Sequence, residues 1–264
     1  MPMPMMFMPE LQPNGAFEWT QAAGGRALVC GPLVPHAHHL FTTRDLQLRD
    51  DPAEWAAVAG AVGVDAARLR LIRQVHGASV AVVRPSEEPW TPPEADAIVS
   101  DDPSAAVAVR VADCAPVLLA DTRLGVVGAA HAGWRGTVQR AAAAAVAALR
   151  VHFGSQPQDL IAAIGPCLGP CCGEVGPEVV EAFRGAGHSI DDMRRWFQAG
   201  RGDRSLLALS LANADQLSAA GIPRDQIFDA AICTRTHATL FHSYRADGHG
   251  AGRMAAVIKL RTQN

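Results

Sequence analysis

The feature that most restricts how this chain can fold is a series of short apolar runs through its middle. They occupy residues 69–75, 79–83, 97–100, 106–111, 117–121 and 126–130. Pro, Gly, Asp or Ser punctuates them, which marks a succession of strands. Several runs, such as Ala-Val-Ala-Val at 106–109, are apolar at every position. A strand with one wet face alternates apolar and polar residues. These runs do not alternate, so the strands are expected to be covered on both faces.

The flanking segments supply the covers. Residues 26–34 and 37–43 read as strand and connector. Residues 52–62 read as a helix with Asp51 as N-cap and Pro52 at its first position. The clearest helix is 137–153, rich in Ala, with Thr137 near its start and Gly154 just past its end. Residues 160–164 return to strand. Residues 177–183 and 205–219 read as helices, the second closed by Gly221 and Pro223, and 226–233 and 255–260 as final strands. The first 25 residues are rich in Pro, Gly and Met and are expected to be irregular. Residues 85–93 read as a loop and 186–204 as a polar connection. Neither has the character of a linker, because apolar runs of the same kind lie on both sides. The expectation is one α+β domain over residues 26–264, with strands in layered sheets and helices outside.

Composition excludes some functions. Lys and Arg number 23 and Asp and Glu 26, for a net charge of -3, so no basic footprint for nucleic acid is present. The short clusters Arg194-Arg195 and Arg68/Arg70/Arg73 read as solvated faces. No run of 18 apolar residues exists, so no membrane span is expected. Met1 to Met8 lacks the basic start of a secretory signal. Six cysteines in 264 residues are too sparse for a disulfide scaffold. A cytoplasmic setting with reduced thiols, free for metal or catalysis, is expected.

Three strand ends carry the chemistry. Residues 71–77 read Leu-Ile-Arg-Gln-Val-His-Gly, 112–119 read Ala-Asp-Cys-Ala-Pro-Val-Leu-Leu, and 129–136 read Ala-Ala-His-Ala-Gly-Trp-Arg-Gly. Each places His76, Cys114 or His131 where an apolar strand breaks at Gly or Pro, held rigidly yet open to a cleft. Two histidines and a cysteine suit zinc, and three protein ligands leave the open position of a catalytic site. No local spacing rule links the three, so each read alone is more often a structural histidine or a core cysteine.

Taken in order, these segments resemble the YfiH-like family, also called laccase-domain or polyphenol-oxidase-type proteins. The resemblance covers residues 26–260. It includes Gln-Val-His-Gly at 74–77, Ala-Asp-Ala-Ile-Val-Ser-Asp at 95–101, the Ala-Asp-Cys and His-Ala-Gly-Trp-Arg-Gly segments, and Ile-Gly-Pro-Cys-Leu-Gly-Pro-Cys-Cys-Gly-Glu-Val-Gly at 164–176. Cys233-Thr234, Ser243-Tyr244-Arg245 and Gly252-Arg253 complete it. A second Arg commonly follows Ser-Tyr-Arg in the family, and here Ala246 stands there. The resemblance implies an α+β sandwich of layered mixed sheets flanked by helices. It implies that His76, Cys114 and His131 form a zinc site. It also implies phosphorolysis of adenosine, inosine, guanosine and methylthioadenosine, and deamination of adenosine, with small-molecule nucleosides and phosphate as partners.

Phosphorolysis needs an anion site, for which Arg73, Arg135 and Arg245 are candidates because Arg grips phosphate with two N–H groups. Arg135 is expected just before a helix start near Thr137, where a helix N-terminus favours anions; a carboxylate partner that only fixes the loop is the alternative. Asp113 and Glu174 could shuttle protons, although a structural turn suits Asp113 better. Cys167, Cys171 and Cys172 invite a second metal site. Two adjacent cysteines make poor joint ligands and no His is near, so 165–173 is read as a tight loop lining the cleft. Cys30 and Cys233 read as core cysteines. His36, His38 and His39 form the only His-x-His in the chain and read as a surface cluster. Two other activities stay open: copper-dependent oxidation of polyphenols by the same three residues, and a hydrolase with Cys114 as nucleophile that edits peptidoglycan precursors. The first lacks the further copper centres of a multicopper oxidase.

Overall fold

A computed structural model describes residues 11–86 and 88–261; the expectation for residues 1–10 lies outside them. Its first half contains β1 (Phe17–Ala22), β2 (Gly25–Cys30), β3 (Ala37–Thr42), α1 (Pro52–Ala61), β4 (Leu69–Arg70), β5 (Val80–Val83), β6 (Ala97–Ser100), β7 (Ala106–Val111), β8 (Ala115–Asp121) and β9 (Val127–Ala132). Then come α2 (Trp134–Val138), α3 (Ala141–Phe153), β10 (Leu160–Ile164), β11 (Glu174–Val175), α4 (Pro177–Gly185), α5 (Ile190–Trp196), β12 (Phe197–Ala199) and β13 (Ser205–Leu207). The chain finishes with α6 (Leu209–Ala219), β14 (Ile227–Asp229), α7 (Tyr244–Asp247) and β15 (Met254–Leu260).

Two six-stranded sheets form the body, in the orders β1-β2-β3-β15-β7-β4 and β14-β10-β8-β9-β6-β5. Both are mixed. The pairs β4–β7, β10–β14 and β5–β6 are parallel and the rest antiparallel. A small antiparallel sheet, β11-β13-β12, sits beside them. The layered α+β sandwich expected from the sequence is what forms.

The continuous apolar runs now have their reason. On β7, Val107, Val109 and Val111 face the second sheet, while Ala106 and Ala108 face α1. On β8, Leu118 and Ala120 face the first sheet, while Val117 and Leu119 pack under the helices. Each strand thus contributes to two cores, and burying each Val or Leu stabilises the fold by about 1.5–3 kcal/mol. α3, α4, α5 and α6 cover the outer face of the second sheet through residues such as Leu149, Phe183, Trp196 and Leu217.

Several boundaries differ from the sequence reading, each for a local cause. The segment expected to be irregular contains β1, which pairs with β2 across a turn where Ala23 and Gly24 both have positive φ. Two such residues make the tight hairpin turn whose twist matches the strands. The helix expected at 137–153 is two helices, because Arg140 adopts a left-handed φ of 60° between them. Residues 205–207 pair as β13 before α6 begins. Only 69–70 of the run at 69–75 and 227–229 of the run at 226–233 keep ladder partners as strands. The polar connection 186–204 contains α5, capped by the Ser189 hydroxyl. The cluster of His36, His38 and His39 is at the surface only in part, with His36 half-buried. On β3 His38 is exposed but His39 is buried, and its Nε2 accepts the Cys30 N–H at 2.8 Å. No helix among the described residues is long and apolar enough to cross a membrane.

Candidate functional site

The site forms where the chain passes between the two large sheets. β7 lies in the first sheet and β8 in the second, so residues 112–114 cross from one to the other. Asp113 makes that crossing with a φ of 79°. Its carboxylate accepts the Thr234 hydroxyl and the Arg245 backbone N–H, both at 2.6 Å. Asp113 is therefore a structural clamp on a turn, as the sequence favoured, and not a free proton carrier. The crossing delivers Cys114 to the start of β8. The register of β8 with β9 pairs Pro116 with His131 and Ala115 with Ala132, which sets Gly133 beside Cys114.

His76 arrives on the loop after β4, itself at a φ of 61°. The ligand atoms of His76, Cys114 and His131 lie within 4.8 Å of one another. The two imidazoles meet nearly edge to face, with ring centroids 4.8 Å apart. Three residues 38 and 17 positions apart in the chain thus converge on one point. The donor set is soft to borderline, and its packing leaves no room for a further carbon: a Cβ on Gly133 would stand 2.6 Å from Cys114 Sγ and 3.4 Å from the His76 ring.

Asp96 organises this point, and the sequence reading passed over it. It is fully buried just before β6. Its carboxylate accepts the backbone N–H groups of Val75, His76 and Gly77 and meets His131 Nδ1 at 2.8 Å. A carboxylate on Nδ1 holds the imidazole by that nitrogen and leaves Nε2 for the site. One side chain therefore fixes both the His76 loop and the His131 ring. Its only sequence signal is an acid at the head of an apolar strand, in Ala-Asp-Ala-Ile-Val. Burial works to raise the Asp96 pKa, but the bonds from His131 and the loop N–H groups prevail and lower it.

Electrostatics couple the remaining pair. Burial would push the Cys114 thiol up, yet the adjacent His131, with a smaller contribution from His76, draws it below its ordinary value. Burial would likewise lower His131, and Cys114 and Asp96 together raise it. The charged forms support each other: thiolate, imidazolium and carboxylate in a row.

The three residues open into a cleft of about 860 Å³, a size that suits a small organic ligand. Its wall includes Arg110, Trp134, Arg135, Tyr244 and Arg245. Arg135 lies inside α2 rather than before it, and its guanidinium stacks 4.2 Å from the Trp134 ring. α2 has five residues, so few dipoles sum at its start and the helix-terminus argument for an anion there weakens. Arg245 reaches the cleft but donates to the carbonyls of Glu174 and Cys172. Arg73 stands apart from the cleft wall, exposed and paired with Glu94 at 2.7 Å. Glu174 also lies off the wall, its carboxylate 3.9 Å from Arg204. Arg110, which the sequence reading did not single out, projects from β7 into the cleft, and no carboxylate among the described residues pairs with it. The signal was present: one cation in a run, Ala-Val-Ala-Val-Arg-Val, that is otherwise wholly apolar. Leu168 and Gly173 line the cleft from the 165–173 loop, as expected for that segment.

Residues 46–261 match the family described as multi-copper polyphenol oxidoreductase laccase. A purine nucleoside phosphorylase of Deinococcus radiodurans is 38% identical over 260 residues, spanning 90% of this chain and 94% of that protein. The adenosine deaminase RL5 of an unknown prokaryotic organism is 36% identical over 199 residues, covering 73% of this chain and 75% of its own. The crystal structure of YlmD from Geobacillus stearothermophilus superposes with a TM-score of 0.81 at 28% identity, covering 92% of this chain and 99% of that one. Sequence motifs, overall fold and these relatives agree: the chain belongs to the YfiH-like, laccase-domain family.

Proposed function

We propose that this chain is a zinc-dependent purine nucleoside enzyme, cleaving adenosine, inosine, guanosine and methylthioadenosine with phosphate and deaminating adenosine. The observation that carries the reading is the convergence of His76, Cys114 and His131 at the floor of an arginine-lined cleft. Relatives 38% and 36% identical over the aligned residues are named for these two activities. His76, Cys114 and His131 would hold the metal, and Asp96 would keep His131 in the ligating orientation. When bound there with three protein ligands, zinc supplies Lewis-acid polarisation and makes water more acidic.

The chain's own residues supply the rest. Arg110, Arg135 and Arg245 place positive charge around the cleft for phosphate. Arg110 is the strongest of the three because Arg245 is engaged by the Glu174 and Cys172 carbonyls and Arg135 lies over the Trp134 ring. The exposed ring of Tyr244 and the ring of Trp134 offer flat surfaces on which a purine can stack. Inosine incubated with phosphate should yield hypoxanthine and ribose 1-phosphate. His76→Ala, Cys114→Ala and His131→Ala should each lose that product while remaining folded; undiminished turnover in all three would overturn the assignment.

One observation favours a second reading. Cys114, His131 and Asp96 stand in the order thiolate, imidazole, carboxylate, which is also the order of a nucleophilic hydrolase. Activity that survives complete chelation yet dies in Cys114→Ser would select it. Copper oxidation at the same three residues is the weaker alternative, because that one Cys-His site lacks the further copper centres of a multicopper oxidase.

A further inference from the structure

A second group of sulfurs lies behind the cleft wall. Cys171 and Cys172 sit on the loop after β10, and Cys233 follows β14. β10 and β14 are parallel neighbours, and their continuations stay paired: Cys167 bridges to Cys233, with Cys167 N–H on the Ile232 carbonyl and Thr234 N–H on the Cys167 carbonyl. The loop then turns back, closed by the Cys172 N–H on the Gly169 carbonyl. The return carries the two adjacent cysteines over Cys233. The sequence offered Cys167 as their partner. The fold supplies Cys233 instead, also buried and 66 positions beyond Cys167.

The three sulfurs lie within 4.8 Å of one another, and Cys171 Sγ is 3.7 Å from Cys172 Sγ. Three sulfurs bonded to one ion at about 2.3 Å stand roughly 4 Å apart, so the spacing is that of a ligand triangle. It does not suit a disulfide between the adjacent pair. Neighbouring Cα atoms are about 3.8 Å apart, below the roughly 4.4 Å at which disulfides begin.

Hydrogen-bond donors surround the sulfurs. The Thr236 hydroxyl lies 3.4 Å from Cys171 Sγ and 3.6 Å from Cys172 Sγ. Arg235 Nη1 is 3.8 Å from Cys172 Sγ. The backbone N–H groups of Thr236 and Gly169 face Cys233. Gly169 is needed where it is, because a Cβ there would stand 3.0 Å from Cys233 Cβ and 3.6 Å from Cys171 Sγ. Cys171 is exposed, so an ion can enter.

We infer that Cys171, Cys172 and Cys233 form a second metal site, a trigonal trithiolate centre for a soft monovalent cation of the copper(I) type. The all-sulfur donor set, with no imidazole or carboxylate, decides the ion. Structural zinc sites close with four protein ligands. No fourth Cys, His or carboxylate among the described residues joins this group. Soft thiolates in a three-coordinate set select copper(I) over harder divalent ions. The centre is separate from the His76 site, although the Cys172 carbonyl accepts from Arg245 and so ties the loop to the cleft.

The test uses the full chain, reduced, stripped of metal and kept free of oxygen, carrying Cys114→Ser to disable the cleft site. Copper(I) is supplied as its acetonitrile complex against a chromogenic copper(I) chelator. The Cys114→Ser chain should hold one copper(I). Adding Cys171→Ser or Cys172→Ser should weaken it by more than about 100-fold, the upper end of what a change outside the ligand set costs. Cys171→Ser alone, altering an exposed side chain, should keep the native thermal melt, so loss of copper is not loss of fold. Failure of the Cys114→Ser chain to hold one equivalent would overturn the inference. So would unchanged affinity in both added serine variants, or tighter retention of zinc than of copper(I).

Discussion

At the residue scale, two buried groups set the chemistry and the pH response. Asp96 serves four hydrogen-bond donors with one carboxylate, so it cannot be replaced without loosening both histidines. Asp96→Asn presents an amide where the His131 N–H expects an acceptor. Metal affinity is expected to fall about 10–100-fold, read as zinc retained on dialysis against a graded chelator. His39 acts on stability alone. Burial lowers its pKa to about 4 from an ordinary value of 6.5. The unfolded chain therefore binds a proton that the folded chain refuses. Stability from neutral His39 is complete above pH 6.5 and declines as pH falls through that value toward about 4, by up to roughly 3 kcal/mol. Denaturant melts at pH 7.5 and 5.0 should show the decline, and His39→Gln, which keeps an acceptor without titrating, should flatten it. Neither role can be seen in the bare letters. A histidine beside a histidine reads as a cluster until the strand sends the two to opposite faces.

At the element scale, the β9–α2 junction is the tightest joint of the site. Gly133 leaves β9, opens α2 and lies against Cys114 in the same residue. Its φ of -71° is open to any residue, so the need for glycine is one of space and not of backbone freedom. Gly133→Ala is expected to push the Cys114 sulfur aside and abolish stoichiometric zinc binding, with the circular dichroism spectrum retained. Full zinc occupancy in that variant would contradict the packing described. The motif His-Ala-Gly-Trp-Arg-Gly is legible in sequence as a strand ending in a loop. The break at Arg140 was not, because arginine is a good helix former and its left-handed φ is imposed by the packing of α2 against α3. Likewise β13 carries an ordinary apolar segment, and only its pairing with β11 and β12 keeps it from starting α6 early.

At the scale of the whole molecule, the two large sheets hold the three site segments at fixed separation. Phe41 of β3 fills the space between them against Phe17, with ring centroids 6.1 Å apart, and abuts Gly165 beside the cleft loop. Phe41→Ala is expected to cost about 3–5 kcal/mol, seen as a lowered midpoint in urea, and to weaken metal retention through the loosened loop. The sequence by itself determined the strands, their double burial and the three residues that converge at the cleft, the last through ordered motifs rather than spacing. Those features are written in local composition, because an apolar run must be covered wherever it lies. Tertiary structure alone decided which distant residues meet. Asp96 reaches His131, Arg110 turns into the cleft and Cys233 joins Cys171 and Cys172 through strand pairing and sheet crossing, and no local pattern encodes partners 35 to 62 positions away.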